Sequence, residues 1–202
     1  MTTERGVKGV ISWRTIGSRL ALGCGGDKVS EFMDDAHVLS VEKSLFDAIN
    51  VVSDAEYVLV EALDRTICGI VTATDLTFQF QNLAEPFLLI GEIENHIRKL
   101  IHGKFSAEQL QEICAENDPE RVVESVADLT FGEYVRLIEH EARWVVLNIR
   151  VDRVEFTKRL DQVREIRNDV MHFDPDGLSD DDLSSLRDFA TFLRSLRKLG
   201  AF

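Results

Sequence analysis

A change of hydrophobic rhythm near residue 80 limits the folds open to this chain of 202 residues. Before it, apolar residues come in short runs, YVLV at 57–60 and ICGIV at 67–71, separated by a turn at Asp64 and Arg65. Short runs bounded by turn residues read as buried strands. After it, every apolar pattern has helical spacing and nothing reads as a strand. Strands that give way to helices, without alternating with them to the end, predict an α+β chain.

The first half carries an internal repeat. Residues 7–16 read VKGVISWRTI and residues 67–76 read ICGIVTATDL, an offset of 60. Both follow the form apolar-x-Gly-apolar-apolar-hydroxyl-x-x-polar-apolar, which suggests a duplicated supersecondary unit. The second copy can be followed in full. Residues 38–41 form a strand or turn. Leu45, Ala48, Ile49 and Val52 stand at i, i+3, i+4 and i+7, a helical stripe. Strands at 57–60 and 66–71 follow, and a helix begins at Thr74. The order is β-α-β-β-α.

Between residues 31 and 80 the string EFM…VLSVEKSLFDAINVV…AEYVLVE…GIVTATDL resembles a CBS domain, the small module named after cystathionine β-synthase. Residues 29–80 would be one complete repeat, and residues 1–28 the tail of a truncated first one, completed by chain outside this sequence or by a second chain. Gly69 allows close approach of backbone and ligand. Thr72 offers a hydroxyl, Thr74 is a candidate helix cap, and Asp75 can accept two ribose hydroxyls. The helix start adds amide donors and a positive dipole end. The resemblance implies that Thr72, Thr74 and Asp75 bind the ribose and phosphate of an adenosine ligand: AMP, ATP or S-adenosylmethionine. In the first copy Ser12 holds the hydroxyl position, but Thr15 stands where the acid belongs. The same residues read without the resemblance are a plain helix N-cap. The glycines at 23, 25 and 26 lack the spacing of a phosphate loop and read as an inter-repeat turn.

Residues 85–202 read as an all-α bundle of four or five helices. Phe87, Ile90, Ile93, Ile97, Leu100 and Ile101 fall on one helical face, and residues 106–114 make a short helix. Thr130 with Glu133, and Ser179 with Asp182, have the three-residue spacing of capping boxes. Leu160, Val163, Ile166 and Val170 line one late helix; Leu183, Leu186, Phe189, Leu193 and Leu196 line the last. Pro175 and Gly177 break the chain between them. Asp180, Asp181 and Asp182 suit a solvated helix start.

The first of these two late helices ends in RNDVMH, residues 167–172. Arg167 is a permanent cation able to clamp a phosphate, and His172 can move a proton near neutral pH. Asn168 and His172 lie one turn apart on one face. Arg167 falls among Leu160, Val163, Val170 and Met171, where a guanidinium needs a partner such as Glu94 or a second copy of the chain. With IGEIENHIRKLI in an early helix, IRNDVMHF resembles the HEPN domains, all-α proteins that include RNases of microbial defence. That resemblance implies a homodimer, phosphate binding by Arg167, acid–base work by His172 on a ribose 2′-hydroxyl, and an orienting role for Asn168, with Glu94 and Arg98 in support. The product would be a 2′,3′-cyclic phosphate, made without a metal. A non-catalytic HEPN fold, with Arg167 and His172 holding the helix end near Asp174, is the plainer reading.

The net charge of −13 opposes broad polyanion binding and confines any RNA to a local basic cleft. Three scattered cysteines without a CxxC pair fit a reducing cytoplasm better than a disulfide framework or zinc ribbon. No apolar run reaches membrane-spanning length. His37, His96, His102 and His140 share no metal-ligand spacing and read as surface residues. Two functions emerge: an adenine-nucleotide-sensing module that regulates a metal-independent RNase in defence or stress, or a non-enzymatic nucleotide sensor and dimerisation module that signals to a protein partner.

Overall fold

The computed structural model describes residues 7–115, 118, 120–172 and 178–200. Among them the fold is mixed α and β, with one three-stranded sheet and eight α-helices. The chain divides into two units, Met1–Gln81 and Asn82–Phe202.

In the first unit, α1 (Trp13–Ala21) precedes a single 3-10 turn at Val29–Phe32. Then come β1 (Val38–Ser40), α2 (Leu45–Ala55), β2 (Tyr57–Glu61) and β3 (Ile67–Thr72). β2 is central, parallel to β1 and antiparallel to β3. The β2–β3 loop turns on Arg65, whose φ of 61° is left-handed, and Asp64 accepts from the Thr66 N–H at 3.0 Å. The repeat is less regular than its sequence. Residues 7–11 form no strand, and Val10 makes only an isolated bridge to Asp34. Gly9 is required there: a Cβ would meet Asp34 O at 2.7 Å, and φ is +155°. A Cβ at Gly69 would meet nothing within 4 Å.

The core of this unit is small: Ala48, Val52 and Val58, with Leu39, Val51, Val71 and Leu76 against it. Of the predicted α2 stripe, Leu45 and Ile49 stay exposed. Three strands and one amphipathic helix give limited opportunity for burial.

α3 (Ala73–Ile101) is continuous through Pro86, where the sequence suggests two helices; the division between the units falls inside it. In the second unit α4 (Ala107–Ala115), α5 (Phe131–Glu139), α6 (Glu141–Leu147), α7 (Arg153–Met171) and α8 (Asp180–Lys198) follow. The bundle therefore has one helix more than expected. α6 escapes a periodicity reading because it is only seven residues long and its apolar residues form a run, Trp144 to Leu147.

The stripes predicted for α7 and α8 meet in one core. Leu160, Val163, Ile166, Leu186, Phe189 and Leu193 are buried, and Val170, Leu183 and Leu196 pack at its edge. Phe156 joins Trp144 and Phe189 at ring separations of 5.3 and 5.5 Å. Two ion pairs set the direction of α8. Arg187 grips both Glu85 oxygens at 2.6 and 2.8 Å, and two turns on Arg194 meets Glu92 at 2.7 Å. Both pairs advance together along the chain, so α8 runs parallel to this part of α3. Ser179 caps α8, its hydroxyl accepting from the Asp182 N–H at 3.1 Å. On α5 the Glu133 carboxylate accepts from the Thr130 N–H at 2.6 Å.

Candidate functional site

The two copies of the repeat build the same local device. At the start of α3 the Thr72 hydroxyl and N–H both donate to Asp75, at 2.6 and 2.8 Å. At the start of α1 the Ser12 hydroxyl accepts from the Thr15 N–H at 3.1 Å, and Thr15 Oγ1 accepts from the Ser12 N–H at 3.0 Å. Both are capping boxes, and Thr15 substitutes in the first for the acid of the second. The cap of α3 is therefore Thr72 and not Thr74, which sits exposed inside the first turn. Asp75 is held below the usual carboxylate range by the Thr72 hydroxyl and then its N–H.

The space around these boxes differs. A pocket of about 260 Å³ opens at the first, lined by Ser12, Arg14 and Thr15 together with Asp34, Asp35, His37, Asp54, Glu56 and Tyr57. Tyr57 is also the cross-strand partner of Thr72 in the β2–β3 ladder. The Tyr57 phenol is pushed up by burial and then by the charge of Asp34. Four carboxylates against Arg14 and His37 make this pocket acidic, and Arg14 already lies 3.5 Å from Glu56. Such a field opposes a phosphate and favours cationic or hydrogen-donating groups. The glycine stretch behaves as a helix stop: Gly23, at φ 72°, follows the α1 cap, and the Cys24 N–H donates to Arg19 O at 2.8 Å.

RNDVMH closes α7. Leu160 and Arg167 lie within about 20° of each other around the helix at 100° per residue. Arg167 thus continues the core stripe where the core thins, and it is half-buried. Asn168 is half-buried as well, while His172 is exposed at the C-cap, its N–H donating to Asn168 O at 2.9 Å. Asp174, Pro175 and Gly177 lie outside the described residues.

Glu94 does not partner Arg167. It binds Arg98 at 2.8 Å, and Arg98 Nε donates to the Tyr134 hydroxyl at 2.9 Å. Tyr134 in turn donates to Val126 O at 3.0 Å. Glu94 and Arg98 therefore brace α3 against α5. His96 is also placed differently from the sequence reading. It is 6% exposed, its Nε2 is 3.5 Å from Glu92, and burial lowers its pKa against the opposing influence of Glu92. His37, His102 and His140 are exposed as expected.

One site escaped the sequence reading. A cleft of about 580 Å³ lies between Gly132, Val135, Arg136 and Glu139 of α5 and Arg153, Val154, Thr157, Lys158, Asp161 and Arg164 of α7. The signal was present as i, i+3, i+4, i+7 spacing on both helices, but polar residues at that spacing read as a solvated face. Among the described residues no helix is long and apolar enough to cross a membrane. In comparisons with known proteins, no family model, no curated protein and no solved structure matches the chain.

Proposed function

We propose that the chain is a metal-independent endoribonuclease of HEPN type, regulated by an adenosine ligand on its CBS-like first unit. The observation that carries this reading is the end of α7. It offers an exposed imidazole at a helix C-cap, with an asparagine one turn before it and, next to that asparagine in sequence, a half-buried arginine. His172 takes the proton of a ribose 2′-hydroxyl. The 2′-oxygen bonds to the adjacent phosphorus, the bond to the 5′-oxygen breaks, and Arg167 stabilises the charge that builds on the phosphoryl oxygens. In a homodimer a second histidine protonates the departing 5′-oxygen, and a 2′,3′-cyclic phosphate remains.

The acidic pocket at Ser12 and Tyr57 supports S-adenosylmethionine over AMP or ATP as the regulator. Its sulfonium and ammonium groups are attracted where phosphates are repelled. The decisive assay incubates the protein with transfer RNA or total RNA in the presence of EDTA, with and without each of the three ligands. Cleavage to cyclic-phosphate ends is expected from wild type and is lost in His172→Ala and Arg167→Ala. Equal survival of RNA with wild type and His172→Ala under every condition ends the enzyme reading. The pocket independently supports a second reading, a non-enzymatic sensor that dimerises and signals to a protein partner. That reading needs adenosine-ligand binding by calorimetry, weakened in Asp75→Ala, without RNA cleavage.

A further inference from the structure

The two halves of α3 are held very differently. Among the described residues, eight side chains of this helix are buried from Pro86 to Ile101 and none from Ala73 to Glu85. Leu76 packs on the small core of the first unit, and Glu85 is gripped by Arg187 of α8. Of the eight residues between these anchors, 77–84, seven are exposed and only Ala84 is half-buried. Phe78, Phe80 and Leu83 are among the exposed ones, at 61, 70 and 58%. The division between the two units falls in this stretch.

Local physics works against a helix here. Pro86 lies inside α3 and has no N–H, so the Asn82 carbonyl has no donor from the next turn, and the proline ring crowds it. Thr77 is β-branched, and its hydroxyl donates to the Ala73 carbonyl at 2.7 Å, a back-bond that weakens and bends helices. Phe78, Phe80 and Asn82 are poorer helix formers than alanine, leucine or glutamine. Tertiary packing usually makes up for such a sequence, and a helix shorter than roughly 12 residues is marginal in water without it. These two turns are helical because formed turns bound them. The Thr72–Asp75 cap starts the helix on one side, and the packed half of α3 continues it on the other.

We propose that residues 77–84 are a helix–coil switch, two turns that open and close while both anchored ends keep their structure. Closed, the eight residues span about 12 Å, at about 1.5 Å each; open, they reach up to about 27 Å. Nucleation is the costly step in forming a helix, and the turns on either side supply it, so the stretch closes without a new nucleus. The state of the switch sets how stiffly the chain passes from the first unit to the second. It depends on neither RNA cleavage nor an adenosine ligand.

The test is hydrogen exchange on the full chain, read residue by residue. The amides of residues 77–85 should exchange roughly a hundredfold faster than those of 93–100, where Ile93, Ile97 and Leu100 are fully buried, and faster than that of Val58 in the first-unit core. Thr77→Ala combined with Asn82→Ala replaces two exposed, poor helix formers and touches neither core. It should slow exchange of 77–85 about tenfold and leave 93–100 and Val58 unchanged. Chymotrypsin should cut at Phe78 or Phe80 before Phe87, which follows Pro86 in the packed half, and the double substitution should slow that cut. Protection of 77–85 equal to that of 93–100 overturns the proposal. So does exchange that matches Val58, which means that the first unit opens as a whole, or a double substitution without effect.

Discussion

Tyr134→Phe removes one oxygen from the centre of the helical unit and tests whether Arg98 belongs to architecture or to chemistry. The Tyr134 ring is fully buried, and its hydroxyl joins Arg98 Nε at 2.9 Å to Val126 O at 3.0 Å. Without it the Val126 carbonyl keeps only the longer bond from the Leu129 N–H at 3.3 Å, so the loss is that of one ordinary hydrogen bond, about 0.5–1.5 kcal/mol. The Arg98 side chain is 40% exposed, so water partly replaces the lost acceptor and adds little. The expected destabilisation is about 1 kcal/mol, roughly 4 °C in melting temperature for a unit of this size. The two tryptophans make the assay selective, because Trp13 lies in the first unit and Trp144 packs on Phe156 in the second. Trp13 is 88% exposed, so a Trp13→Phe background is harmless and leaves Trp144 as the reporter in urea unfolding. In a double-mutant cycle, Arg98→Met should add less to Tyr134→Phe than it costs alone. A loss below about 0.5 kcal/mol in Tyr134→Phe, the scale of a surface change, would refute the brace. Full additivity in the cycle would do the same.

Three further expectations can be checked on the same material. Glu133 is buried; desolvation would raise its pKa, but the Thr130 N–H and Arg121 outweigh this and leave it lowered. Its stabilising contribution is therefore present above about pH 4.3 and lost as pH falls through the folded value. Glu133→Gln should cost roughly 3 kcal/mol at pH 7 and flatten the acid limb of the stability profile; an unchanged limb contradicts this. His96, lowered mainly by burial, stabilises fully above about pH 6.5 and progressively less below it, so His96→Leu should reduce the slope of stability between pH 5 and 6.5, measured by thermal unfolding across pH. Thr72→Ala should cost about 1 kcal/mol of first-unit stability, reported by proteolysis; no loss would mean the capping box carries no weight.

Much of the fold was legible because it depends on neighbours in sequence. The β-α-β-β-α order, the α7 and α8 stripes and the Ser179 cap follow from periodicity and from hydrogen bonds that span three or four residues. α6 was not legible, since a seven-residue helix whose apolar residues form one run of four has no period to detect. The site was legible only as residue types. RNDVMH could be placed at a helix end, and Ser12 and Thr72 could be matched as hydroxyl positions. The Glu94–Arg98 pair has the i, i+4 spacing of one helix face, but the Tyr134 hydroxyl that Arg98 also meets could not be read, because it comes from α5.

The sequence by itself determined where helices start, which faces are apolar, and that Arg167, Asn168 and His172 close one helix. Tertiary structure decided that His96 is buried, that Arg98 meets the Tyr134 hydroxyl, and that the carboxylates around Ser12 line one pocket while cations of α5 and α7 line one cleft. The physical reason is range. Caps and stripes are set within one or two turns of backbone, whereas burial and local field depend on side chains brought together from distant positions. A chain with a net charge of −13 can therefore still gather four cationic side chains around one cleft.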